Sequence, residues 1–208
     1  MSEACPQIMF RRLIIKIRKA FKTHSVDLII KTSKVKKLDS NEFYVNAYYD
    51  QDAEIHNECA IEIYVFHNFT KDNIFEHTQL GQFLVQIYDA VVHEFKHQEQ
   101  ARSRKFKPNA RVSDPSDTVA YLSDPDEIDA YALSIAIELI RNLGRSRSIT
   151  YLHRASRLAR IRPQGLYASP TLFHYFRIFD GTHSPILRKL IKKIFLNLQS
   201  LDKHVIFY

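Results

Sequence analysis

The chain has 208 residues and a formal net charge of +7, with 25% charged and 45% hydrophobic residues, 4 Gly, 2 Cys and no Trp. That length suits one domain with a substantial core, and 14 Phe with 11 Tyr exclude a disordered chain, a collagen-like repeat or a disulfide-stapled mini-domain. No apolar run reaches the roughly 18 residues of a membrane-spanning helix, and the opening MSEACPQIMFRR does not read as a secretory signal.

Elements follow in chain order. Phe10 to Phe21 predicts a helix, with Phe10, Leu13, Ile14, Ile17 and Phe21 on one face and Arg and Lys elsewhere. Three strands are expected at Val26–Thr32, Glu42–Tyr49 and Cys59–Phe66. Short, turn-rich connections at Lys37–Asn41 and Asp50–Asn57 favour an antiparallel meander. A long helix is predicted from about Gln79 to Arg104, then a polar loop from Lys105 to Val119 containing Pro108 and Pro115. A second helix spans Pro125 to Leu143 and stops at Gly144. An Arg-rich helix is expected from Ile149 to Ile161, a loop with Pro163, Gly165 and Pro170 next, and a last helix from Pro185 to Leu201. Acidic residues gather from Asp114 to Asp129, and basic ones from Arg141 to Arg162.

The two cysteines, Cys5 and Cys59, show no metal-site spacing and suit a reducing compartment, so the expected location is the cytoplasm. Cys59 reads as a small buried apolar residue.

The sharpest chemical signal is His93-Glu94-Phe95-Lys96-His97 in the long helix. Positions i and i+4 share a helical face, so both imidazoles can bind one ion, while Glu94 can serve as a base without being a ligand. A third ligand is needed, and the downstream Tyr121-Leu-Ser-Asp-Pro-Asp-Glu127-Ile-Asp129-Ala130-Tyr131 segment offers one. The small Ala130 permits close helix packing. With Asp124 as N-cap and Pro125 at N1, Glu127 also has a capping role open to it. Asp126 and Asp129 are alternative ligands, since a one-residue change of phase turns a carboxylate by about 100°.

His-Glu-x-x-His followed by Glu-x-x-Ala resembles the gluzincin zinc metallopeptidases, especially small minimal members (minigluzincins) of the kind found in phage and bacterial proteins. The resemblance covers about Phe10 to Leu143. It implies zinc held by His93, His97 and Glu127, with Glu94 as general base. Many gluzincins carry Asp or Asn four residues after the ligand glutamate; here that position is Tyr131. Asp89 or Asp129 is then the candidate to orient a histidine. Tyr131 is the first candidate for oxyanion stabilisation, with Tyr121, His153 and His174 behind it.

The expected architecture is a single α+β zincin-like domain. Its core covers about 10–143 and a helical extension about 144–208. A small, mainly antiparallel sheet packs on the N-terminal and active-site helices, a glutamate helix completes the site, and further helices follow. The expected function is hydrolysis of peptide bonds in a protein or peptide substrate, bound extended along an edge strand, for which Cys59–Phe66 is the first choice. The alternative is a nucleic-acid-associated or other binding protein with structural or no zinc. It would grip an anionic partner, nucleic acid or acidic protein, through Arg154, Arg157 and Arg160, flanked by Arg145, Arg147 and Arg162. No membrane partner is expected.

Overall fold

The computed structural model describes residues 8–24, 26–70, 73–107, 117–158, 168–179 and 184–201, the last three residues of 117–158 by their helical backbone alone. The chain divides into two units, Met1–Lys107 and Pro108–Tyr208. It is a mixed α+β structure, mostly helical, with small sheets.

The first unit opens with β1 (Ile8–Met9) and α1 (Phe10–Thr23). Phe10, Leu13 and Ile14 are buried, while Ile17 and Phe21 are half-buried. Next come β2 (Ile29–Lys34), β3 (Phe43–Tyr49), α2 (Gln51–Ile55), β4 (Ile61–His67) and β5 (Ile74–Phe75). The helix α2 falls inside a stretch expected to be turn; the Asp50 carboxylate starts it by accepting the N–H groups of Asp52 and Ala53.

The main sheet has the order β2-β4-β3, and β1 pairs separately with β5. β4 runs parallel to β2, in register Ile30↔Ile63 and Thr32↔Val65, and antiparallel to β3, with Ala47↔Ile63 and Val45↔Val65. Two expectations are corrected here. The main sheet is mixed, because β4 inserts between β2 and β3 and so keeps these sequence neighbours from pairing with each other. The strand chosen as the substrate edge is the central one. Its inward residues Ile61, Ile63 and Val65 are 0% exposed, and ladders on both sides occupy its backbone.

The long α3 (His77–Ser103) closes the unit. Its buried positions Phe83, Ile87, Val91 and Glu94 follow helical spacing. The first three join Phe10, Ile14, Ile61, Ile63 and Val65 in one core. Each fully buried side chain there contributes on the order of 1.5–3 kcal/mol of transfer free energy.

The second unit contains α4 (Thr118–Ser123), α5 (Pro125–Leu143), α6 (Arg145–Leu158), α7 (Pro170–Ile178) and α8 (Pro185–Ser200). The central helix is α5. Ile128, Ile135 and Leu139 share a core with Leu187, Leu190, Ile194 and Leu198 of α8, all fully buried. α5 spans the predicted residues and ends at Gly144, whose φ of 74° is open to glycine at little cost. α6 begins four residues earlier than expected, directly after that glycine. α7 was expected to be loop; Ser169 accepts the Leu172 N–H at 3.1 Å and Pro170 takes N1, so the proline starts a helix. Cys5, Asp114, Pro108, Pro115, Arg160, Arg162, Pro163 and Gly165 lie outside the described residues. No described helix is long and apolar enough to cross a membrane.

Candidate metal centre

In the first unit α3 carries His93, Glu94 and His97 at the predicted helical positions. The histidines are half-buried, and Glu94 is only 6% exposed, in line with Ile87 and Val91 on the buried face. The Nε2 atoms of His93 and His97 stand 3.2 Å apart. Two imidazole nitrogens at that distance need either a shared proton or a cation between them. His97 Nδ1 lies 2.9 Å from Gln100 Oε1. An amide oxygen only accepts, so Nδ1 carries the proton, and in the neutral ring Nε2 keeps its lone pair facing His93. Gln100, itself buried, therefore fixes the tautomer a metal ligand requires. It lies three residues after His97 on the same face, a spacing visible in the sequence but not singled out there.

In the second unit Glu127 occupies the first turn of α5, behind the N-cap Asp124 and Pro125. The Asp124 carboxylate caps the helix by accepting the Asp126 N–H at 2.8 Å. Its own N–H donates to the Tyr121 carbonyl at 3.0 Å. A reciprocal capping box would have Glu127 accept that N–H; here the Tyr121 carbonyl accepts it. Three tyrosines gather near it. The Tyr121 and Tyr131 rings are 6.4 Å apart and those of Tyr131 and Tyr175 are 5.6 Å apart. Burial holds the Tyr121 and Tyr175 phenols well above the usual range, reinforced by Tyr131 and the negative charge of Glu127. Tyr121 also hydrogen-bonds with Glu127 and Tyr131. The Tyr175 hydroxyl is buried without a hydrogen-bond partner among the described residues. Sequence reasoning missed Tyr175, because the helix that carries it was expected to be loop.

His93, His97 and Glu127 each offer one ligand atom, and these atoms lie within 4.8 Å of one another, a group that could hold a metal ion. Asp129 accepts Lys193 Nζ at 2.6 Å. Asp126 stands in the first turn of α5 and Asp89 is half-buried on α3. His153 is exposed with its ring 5.8 Å from that of Phe195, and His174 is exposed on α7. Ala130 is fully buried. Arg154 and Arg147 are exposed on α6. Burial pushes the half-buried Cys59 thiol up, away from the reactive thiolate.

No family model, no curated protein and no solved structure matches the chain.

Proposed function

We propose that the chain is a zinc-dependent metallopeptidase of zincin type, with His93, His97 and Glu127 as ligands and Glu94 as general base. The observation that carries this reading is the grouping of two imidazoles and one carboxylate within 4.8 Å. Two His and one Glu form a donor set of catalytic zinc, which leaves one position open. The 3.2 Å spacing of the imidazole nitrogens also fits: nitrogens bound at about 2.0–2.1 Å to one tetrahedral zinc are roughly 3.3–3.4 Å apart. When bound, the ion supplies Lewis acidity to a substrate carbonyl and to the attacking water.

The chain's own residues do the rest. The Glu94 carboxylate takes the proton of the attacking water and delivers it to the leaving amine nitrogen. Its burial places that transfer in a low-dielectric setting. Gln100 holds His97 in the ligating tautomer, and Tyr121 donates to the Glu127 carboxylate. Tyr131, one turn after Glu127, is the candidate donor to the developing oxyanion. With β4 central, β3 is the edge strand beside α3 and our choice for an extended protein or peptide substrate, which would take the place of Gln86 Oε1 as acceptor of the Val45 N–H.

The test is hydrolysis of an unfolded protein substrate by zinc-loaded wild type beside Glu94→Gln. Activity in the wild type that is lost in the variant, with equal zinc content, supports the reading. Equal activity in both contradicts it.

A further inference from the structure

The first unit has a second feature that the proposed hydrolysis does not use. The outward face of the β2-β4-β3 sheet carries Tyr44 and Tyr48 from β3 and Tyr64 and Phe66 from β4. Tyr44 and Tyr48 are each 44% exposed. The four rings form a nearly parallel array. Tyr44 and Phe66 are 4.8 Å apart at 19°, Phe66 and Tyr64 6.1 Å apart at 15°, and Tyr64 and Tyr48 5.9 Å apart at 19°. α1 and α3 pack against the opposite face, which holds the core. Isolated exposed aromatic residues are ordinary, but a contiguous ordered set is a mark of a binding surface.

The array is braced from below by one carboxylate. Glu62 Oε2 accepts Lys31 Nζ at 2.5 Å, Tyr64 Oη at 2.6 Å and Tyr48 Oη at 3.0 Å. The lysine offsets the charge of Glu62, and its Nζ lies 5.3 Å from the Tyr64 ring centroid.

Beside the array, on the β2 side, runs a groove of about 830 Å³ lined by Arg18, Lys22 and Lys31, with Asp27 the one acidic side chain in it. Ile29 and Lys31 belong to both groove and platform. Arg18 Nη2 donates to the Ile30 carbonyl at 2.5 Å; a guanidinium has five N–H donors, so others are left for an anion. Exposed Lys34, Lys36 and Lys37 continue the positive edge beyond Ser33.

We propose that this face binds single-stranded nucleic acid, its bases stacking on the exposed Tyr44 and Tyr48 at the two ends of the ring stack and its phosphates following the Arg18–Lys22–Lys31 groove. Aromatic faces beside a cationic track are the arrangement that holds single strands with little sequence preference. Charge selects this occupant over a neutral glycan, which would use the rings but not the cations. The duplex form is disfavoured because its bases are already stacked.

The experiment is fluorescence anisotropy of a labelled oligothymidylate of about 20 nucleotides, titrated with the full chain at several salt concentrations. Binding that weakens as salt rises is expected. Tyr44→Leu with Tyr48→Leu removes two rings but keeps apolar, strand-compatible side chains. It should weaken binding at least about tenfold, with the chain still folded by circular dichroism and its zinc content unchanged. Lys22→Glu, on a different element, should weaken binding and flatten its salt dependence. No binding by the wild type overturns the proposal. So does unchanged affinity in the double variant, equal competition by a duplex of the same length, or displacement by a neutral oligosaccharide.

Discussion

Glu94 stands on the buried face of α3 while the two histidines beside it are only half-buried, which separates the proposed base from the proposed ligands at the level of single residues. Glu94→Gln keeps the shape and removes the base, so the variant should retain zinc and lose about 10²–10⁴-fold in turnover, checked by parallel metal analysis and peptide hydrolysis. Gln100 acts through His97. Replacing it with Leu should weaken metal affinity about 10–100-fold, measured by competition with a chelator, with little change in the fold. The His-Glu-x-x-His geometry was legible because i and i+4 always share a helical face. Glu127 was legible only as one of two readings, cap or ligand. In the fold the Asp124 N–H goes to the Tyr121 carbonyl, a detail that residue types do not encode. Tyr175 was not legible, since only the folded packing of α7 brings its ring beside Tyr131.

Among elements, helices with a strong period and explicit end signals were read well, and α5 is the clearest. Asp124, Pro125 and Gly144 mark its two ends. Gly144 combines a φ of 74° with a ψ of 157°, a region that a side chain enters at a cost of order 1–3 kcal/mol. Gly144→Ala should therefore lower stability by about that amount in denaturant unfolding, although open space surrounds the added methyl. The strands were found, but their pairing was not. Alternation identifies the inward face of β4, yet nothing local says that β4 inserts between β2 and β3 or that one ladder is parallel. The same limit hid α7: a stretch with Pro163, Gly165 and Pro170 reads as loop until Ser169 is seen to cap the turn that Pro170 begins.

At the scale of the whole molecule, stability should respond to both pH and metal. His67 is buried against Phe10 and Phe69, and its Nδ1 accepts the Phe69 N–H at 3.1 Å. Burial, with the nearby Lys34 charge, holds its pKa below the ordinary 6.5. Below that value the unfolded chain binds a proton that the folded chain refuses. The stabilising contribution is therefore complete above pH 6.5 and is lost as pH falls toward the depressed folded value. His67→Gln should reduce the acid slope of the unfolding free energy, measured between neutral and mildly acidic pH. Zinc binding to the folded chain adds stability by mass action, so chelation should lower the melting temperature of the wild type and leave His93→Ala unmoved.

The central claim is that His93, His97 and Glu127 hold one zinc ion, and elemental analysis of the purified chain tests it most directly, with His93→Ala, His97→Ala and Glu127→Gln measured alongside. The account predicts about one zinc per wild-type chain, loss in both histidine variants, and markedly weaker retention in Glu127→Gln. A wild-type chain free of transition metal and unable to take up zinc after chelation would contradict it.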